Sequence, residues 1–243
     1  MTPGRPDLAV VLPAYNLGPV IADNLRRVAK ALAAVGTVEI VVVDDGSADR
    51  TFQEASAAAA DLAAVRVIRH EVNRGKGEAL FTGARATSAE LVLFLDADLD
   101  LPAEQVPALI EKTAGVDLLV GAKRKAMAGG HYPLARRVLS RIFALLTVGL
   151  FRLPVSESQT GLKIVRRTVI DKVLPQMRIH GYAYDLEMLL RSHRSGLVLR
   201  EVPVELGENA STAPLRLGML WQMGRDTLRL WWWTLSGRIP RAS

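Results

Sequence analysis

The N-terminal half of the chain alternates short β-branched runs with stretches of helical composition, and that rhythm leaves few folds open. Residues 8–12, 39–43, 65–69 and 91–95 read as strands, with residues 20–35, 51–63 and 77–86 as the helices between them. A strand–helix–strand repeat of this kind predicts an α/β fold, a mostly parallel sheet flanked by helices. In such open sheets ligands gather beyond the carboxyl ends of the strands. The residues to read for chemistry are therefore those that follow each strand: 13–16, 44–47 and 96–100.

The second half is less regular. Residues 118–121, 162–165 and 197–204 read as further strands, and residues 134–151 and 184–192 as helices; a polar loop spans residues 156–160. From residue 215 onward Leu217, Leu220, Trp221, Leu228, Trp231 and Leu235 recur at helical spacing against Arg216, Arg225 and Arg229. The expected division is a catalytic domain over residues 1–214 and an amphipathic, membrane-interfacial helix over residues 215–243. Three adjacent tryptophans, Trp231 to Trp233, cannot all face one core, so at least one is expected at a surface or interface.

Composition narrows the chemistry. The 243 residues contain no cysteine, which excludes thiol catalysis, thiolate-bound metal and disulfides, so any metal needs oxygen or imidazole ligands. A net charge of +6 favours an anionic partner, but the basic residues are dispersed and no nucleic-acid-binding motif is present, so nucleic acid is not expected. The apolar run at residues 8–13 is too short for a signal peptide. The longest apolar-dominated stretch, residues 142–153, contains Arg152 and falls short of the roughly 20 residues that cross a bilayer. The expectation is a cytoplasmic protein without a spanning helix.

Three loops carry candidate chemistry, each with a plainer reading beside it. Asp96-Ala97-Asp98-Leu99-Asp100 crowds three carboxylates where a strand ends, which is costly unless a cation neutralises them. Hard divalent cations such as Mg2+ or Mn2+ suit that donor set and also bind diphosphate; the plainer reading is a solvated acidic loop. Asp44-Asp45-Gly46-Ser47 is either a turn leading into the next helix or an acceptor of hydrogen bonds from a base or ribose. Asn73-Arg74-Gly75-Lys76-Gly77 offers glycines and cations at a helix start, suited to anions but without P-loop spacing, and otherwise a flexible turn.

Together with Leu12-Pro13-Ala14-Tyr15-Asn16, these segments stand in the order and approximate spacing of the family 2 glycosyltransferases, which the chain resembles over residues 8–206. The resemblance implies a GT-A fold, inverting transfer, a nucleotide-sugar donor and a Mg2+ or Mn2+ cofactor. Gln159-Thr160-Gly161-Leu162-Lys163, Tyr184-Asp185-Leu186-Glu187 and Glu201-Val202-Pro203-Val204 are similar to the dolichyl- and polyprenyl-phosphate glycosyltransferases, especially the dolichyl-phosphate glucosyltransferase branch. Carried over, Pro13, Ala14, Tyr15, Asp44, Asp45, Arg74, Gly75, Lys76, Asp96, Ala97 and Lys123 would hold the nucleotide sugar. Asp98 and Asp100 would ligate the metal; Asp98, Gln159, Lys163 and Asp185 would form the catalytic set; Arg136, Arg137 and Lys163 would meet an acceptor phosphate. Leu17 departs from the Glu that many relatives carry there, and residues 209–214 lack the relatives' basic residues.

The function this implies is transfer of a hexose, from a UDP-sugar in preference to a GDP-sugar, to polyprenyl phosphate on the inner face of the membrane, beside a small integral membrane protein. The alternative is a soluble transferase with a hydroxyl acceptor, for which a base is required and Asp185, then Glu187, is the candidate. Both carboxylates have a plainer reading as structural groups. A nucleotidyltransferase would share the sheet and the acidic loop, but residues 13–18 lack its glycine-rich, basic signature.

Overall fold

Each apolar run becomes a strand in the computed structural model, which describes residues 5–123, 149–181, 183–207 and 217–240. The strands are β1 (Leu8–Ala14), β2 (Val38–Asp44), β3 (Val65–Arg69), β4 (Leu91–Leu95), β5 (Leu118–Ala122), β6 (Leu162–Arg166) and β7 (Leu199–Pro203). The helices are α1 (Ile21–Ala31), α2 (Thr51–Asp61), α3 (Lys76–Arg85), α4 (Val106–Ile110), α5 (Arg167–Lys172), α6 (Tyr184–Arg194) and α7 (Leu217–Leu235). α4 and α5 are too short to show a period in the sequence, and neither was expected. The helix expected over residues 134–151 is seen only at residues 149–151; its remainder, and the expected boundary at residue 214, lie outside the described residues.

All seven strands join one sheet in the order β3-β2-β1-β4-β6-β5-β7. It is parallel except for β6, which runs antiparallel to both β4 and β5. β1 reads LAVVLPA without a polar residue, as a central strand covered on both faces should. Its side chains alternate between two cores with the period of two that a pleated strand imposes. Leu8, Val10 and Leu12 pack with Ile21, Leu25 and Val28 of α1 and with Ala55 and Ala58 of α2. Ala9 and Val11 pack with Leu80, Phe81 and Ala84 of α3 and share their cluster with Leu186 and Leu189 of α6. β4 leaves the β1 ladder at Val11, so Pro13, which lacks an N–H, lies where only β2 remains alongside.

α7 lies on the second of these cores. Met223, Leu230 and Trp233 are buried, whereas Trp221, Leu228, Trp232 and Leu235 form an exposed stripe at helical spacing. The three tryptophans divide as expected. Among the described residues, no helix is long and apolar enough to cross a membrane.

Helix and sheet pack tightly at Gly83 of α3, where an added Cβ would overlap the Val11 side chain of β1. Alanine gains up to about 1 kcal/mol in helix propensity over glycine, but overpacking a filled core costs about 1–3 kcal/mol. Gly83→Ala is therefore expected to be net destabilising, read as a lower urea midpoint at unchanged slope.

Candidate active site

The loops after β1 and β2 are tied into one platform. Asn16 donates its amide to Ser47 Oγ (2.9 Å) and accepts the Ala48 amide (3.0 Å), while Leu17 and Gly18 donate theirs to Thr51 and Asp49. The two adjacent aspartates have different work. Asp44 is fully buried, accepts the Ser47 amide at 3.2 Å and lies 3.2 Å from the Arg69 guanidinium. It props the turn, and its place in the structure is beneath the cavity described below and not among the lining residues. Asp45 does line the cavity. Its carboxylate accepts from His70 Nδ1 (2.7 Å) and from the amides of Arg74 (2.9 Å) and Gly75 (2.8 Å), so it shapes the glycine loop directly. With Nδ1 donating, His70 Nε2 accepts from the Thr82 hydroxyl at 2.9 Å.

That loop delivers Lys76, the first residue of α3, to the acidic turn. Lys76 Nζ makes a close ion pair with Asp96 Oδ1. Burial alone would lower the lysine's pKa, but the charges of Asp96, Asp185 and Asp98 overcome it and raise the value above the ordinary range. Burial would likewise raise the Asp96 pKa, yet Lys76, with Lys123 and Lys163 adding to it, holds the carboxyl below its usual range. Both groups are ionised at neutral pH. Gly161 makes room for this arrangement: its carbonyl accepts the Asp96 amide at 3.0 Å, and a Cβ there would overlap the Asp96 carboxylate.

Lys163 and Asp185 occupy a layer beneath. Lys163 is 1% exposed; its Nζ lies 2.6 Å from Asp185 Oδ1 and donates to the Thr160 carbonyl at 2.6 Å. Desolvation lowers the Lys163 pKa and raises that of Asp185, each partly offset by the other's charge. The expected acceptor-phosphate contact at Lys163 and the expected base at Asp185 are thus a buried ion pair, neither of which lines the cavity. Glu187 is also structural. It is fully buried and accepts the amides of Arg178 (3.0 Å) and Ile179 (2.7 Å) and the Arg191 guanidinium (2.7 Å).

Above these groups lies a cavity of about 740 Å³ whose lining includes Pro13, Ala14, Tyr15, Asp45, Arg74, Gly75, Lys76, Asp96, Ala97 and Asp98. Ten of the expected donor and metal residues therefore meet in one place, at the carboxyl ends of β1, β2 and β4. Lys123 follows β5 and reaches Asp96 electrostatically; Gln159 sits half-buried in the loop before β6. Arg136 and Arg137 lie outside the described residues.

Asp98 and Asp100 offer hard oxygen donors on the turn that follows β4, at the rim of the cavity where Asp98 is only partly hydrated. The Asp98 pKa is pushed up to about 6 by desolvation first and then by the charges of Asp96 and Asp100, a crowding that a cation relieves. Among the described residues, no three acidic or imidazole groups converge to cage a metal unaided. The donor set fits an ion such as Mg2+, which takes one or two carboxylates and completes its shell with water and substrate phosphate.

Residues 9–174 match the family described as Glycosyl transferase family 2. The chain belongs to that family. It is 29% identical to a dolichol-phosphate mannosyltransferase of Pyrococcus furiosus, over 96% of this chain and 66% of the relative. It is 33% identical to an undecaprenyl-phosphate 4-deoxy-4-formamido-L-arabinose transferase of Pseudomonas aeruginosa, over 69% and 49%, and 27% identical to the glycosyltransferase AglD of Haloferax volcanii, over 97% and 39%. The chain thus spans between about two fifths and two thirds of the length of these relatives. Among solved structures it resembles glucosyl-3-phosphoglycerate synthase from Mycobacterium tuberculosis in complex with UDP, with a TM-score of 0.69 at 24% identity, covering 94% of this chain and 79% of that one. The same enzyme with Mn2+, UDP and glucosyl-3-phosphoglycerate gives 0.66 at 25%, over 99% and 82%. The fold is that of GT-A glycosyltransferases.

The glycosyltransferase motifs account for most of the cavity lining but not for His180, Gly181 and Gln222, which also line it. All three follow residue 174, where the family match ends. Gln222 was hidden within the apolar periodicity of α7, and His180 stood alone in a loop without a motif; only its position shortly before Tyr184 and Asp185 could have singled it out.

Breaking a buried ion pair by removing one partner costs about 3–5 kcal/mol. Asp185→Asn is expected to lose stability on that scale in chemical denaturation, because Lys163 is left charged and unpaired. A variant as stable as wild type would return Asp185 to the role of a base.

Proposed function

We propose that the chain transfers a hexose from a nucleotide sugar, a UDP-sugar in preference to a GDP-sugar, to polyprenyl phosphate with inversion at the anomeric carbon. The observation that carries this reading is the cavity itself: an acidic turn faces a glycine–lysine loop, and α7 completes the wall. Gln222 of α7 lines the cavity while its neighbour Trp221 is 76% exposed. Relatives named for dolichol-phosphate and undecaprenyl-phosphate transfer support the choice of acceptor.

In the reaction the bond between the anomeric carbon and the diphosphate oxygen breaks, its electron pair leaving with the nucleoside diphosphate, while an acceptor oxygen bonds the opposite face of that carbon. Asp45 holds the amides of Arg74 and Gly75, and so the loop that presents Lys76 to the leaving diphosphate. Asp98 and Asp100 would hold a Mg2+ or Mn2+ ion, which would supply Lewis-acid stabilisation of that diphosphate. A phosphomonoester, with a second pKa near 6, arrives already ionised near neutral pH and needs no base. The Lys163–Asp185 pair suits such an acceptor, since it commits the carboxylate that a hydroxyl acceptor would require.

Removing one metal-binding carboxylate withdraws several kcal/mol of leaving-group stabilisation. Asp98→Asn is expected to lower transfer by on the order of a hundredfold or more and to weaken Mn2+ binding in calorimetry, with its melting temperature kept. Incubation with labelled UDP-hexoses, Mn2+ and an isoprenyl phosphate, followed by organic extraction, is the assay. Label in the organic phase supports the reading. Label appearing only on a water-soluble acceptor, such as the phosphoglyceric acid bound in the mycobacterial structures, overturns it in favour of a soluble transferase.

The same reading places α7 against the inner face of the membrane. Trp221, Leu228, Trp232 and Leu235 are exposed on one stripe, with Arg225 and Arg229 exposed on the same helix, the composition of an interfacial helix on anionic lipid. The double variant Trp221→Ala, Trp232→Ala is expected to lose most of its co-sedimentation with phosphatidylglycerol vesicles while binding UDP as wild type does.

A further inference from the structure

The two sides of the cavity differ in their relation to the family match. Pro13 through Asp98 lie within the family match, whereas His180, Gly181 and Gln222 lie beyond it. The relatives' names have sugar transfer in common and differ in acceptor: dolichol phosphate, undecaprenyl phosphate or phosphoglycerate. Acceptor recognition is free to reside on the wall that the family match does not include.

On that wall His180 is mounted with unusual firmness for a half-exposed side chain. Its Nδ1 lies 2.7 Å from Glu78 Oε2, and its ring stands edge-on to Phe81 with centroids 6.2 Å apart. Its carbonyl accepts the Gly77 amide at 3.1 Å. The two residues before it are fixed by the buried Glu187, which takes both their amides and is itself held by Arg191. With Nδ1–H given to Glu78, Nε2 has no protein partner among the described residues. Among the described lining residues only Arg74, Lys76 and His180 carry or can acquire positive charge, and Arg74 and Lys76 belong to the loop facing the donor. Lys163, the other described cation expected at the acceptor, is buried against Asp185.

We propose that His180 is an acceptor-binding residue: held by Glu78 through Nδ1, its imidazole presents Nε2 to the phosphate of the acceptor as a hydrogen-bond donor. Glu78 is a positioning residue that fixes the ring and balances its charge. This rests on the phosphomonoester reading above, and the test separates the two.

Wild type, His180→Ala, His180→Gln and Glu78→Gln are compared with UDP-hexose, Mn2+ and a short-chain isoprenyl phosphate in detergent. Wild type is read first: no labelled lipid sinks the acceptor reading, and the phosphate contact with it. Given wild-type transfer, His180→Ala raises the acceptor KM by about tenfold to a hundredfold, the range for a hydrogen bond to a charged group. UDP affinity by calorimetry and the melting temperature stay at wild-type values. His180→Gln behaves like the alanine variant because an amide brings no charge, and Glu78→Gln shows a smaller rise. An unchanged acceptor KM overturns the inference while leaving the acceptor reading intact. A parallel fall in UDP affinity also overturns it, by assigning the ring to the donor. If His180→Ala fails to fold, His180→Gln decides on the same criteria.

Discussion

Four charged side chains of alternating sign, drawn from four separate elements, set the geometry around which the rest of the site is arranged. Asp96 follows β4, Lys163 sits within β6, Lys76 opens α3 and Asp185 lies in the first turn of α6. Charge is expensive to withdraw from water and is tolerated when each group is paired. The pairs Lys76–Asp96 and Lys163–Asp185 provide that, and each pair also biases the ionisation of the other. The elements that carry them must therefore converge, or a buried charge is stranded.

The one antiparallel strand makes this convergence possible. Because β6 runs against β4, Leu162 lies beside Leu95, and the entry to β6 falls at the carboxyl end of β4. Residues 159–163 thus arrive at the functional edge of the sheet. A parallel β6 would send them to the opposite edge, and Gly161 could not accept the Asp96 amide.

The existence and approximate bounds of the strands were legible because their apolar runs are short, β-branched and bounded by turn residues. Strand direction was not, since an apolar run reads alike in either sense and pairing depends on contacts distant in sequence. The convergence of the expected donor residues was legible for a similar reason: each belongs to a short motif near the carboxyl end of a strand, Pro13 within the end of β1, Asp45 just after β2 and Asp98 in the turn after β4, with Lys76 opening the helix that follows β3. Side-chain commitments were less accessible. Asp44 and Asp45 are adjacent and chemically identical, yet successive residues leaving a strand point to opposite sides. Lys163 and Asp185 each looked available for catalysis, because sequence does not reveal that they spend their charges on one another.

The seam between the glycine loop and the approach to α6 is made of backbone. Gly77 donates to the His180 carbonyl, and a Cβ at Gly75 would lie 2.7 Å from that oxygen. A contact of this kind leaves no compliant side chain to absorb relative motion, so whatever moves the Arg74–Lys76 segment is transmitted to His180. The seam also fixes how closely the two segments approach: a side chain at residue 75 or 77 would press on the His180 carbonyl and force them apart.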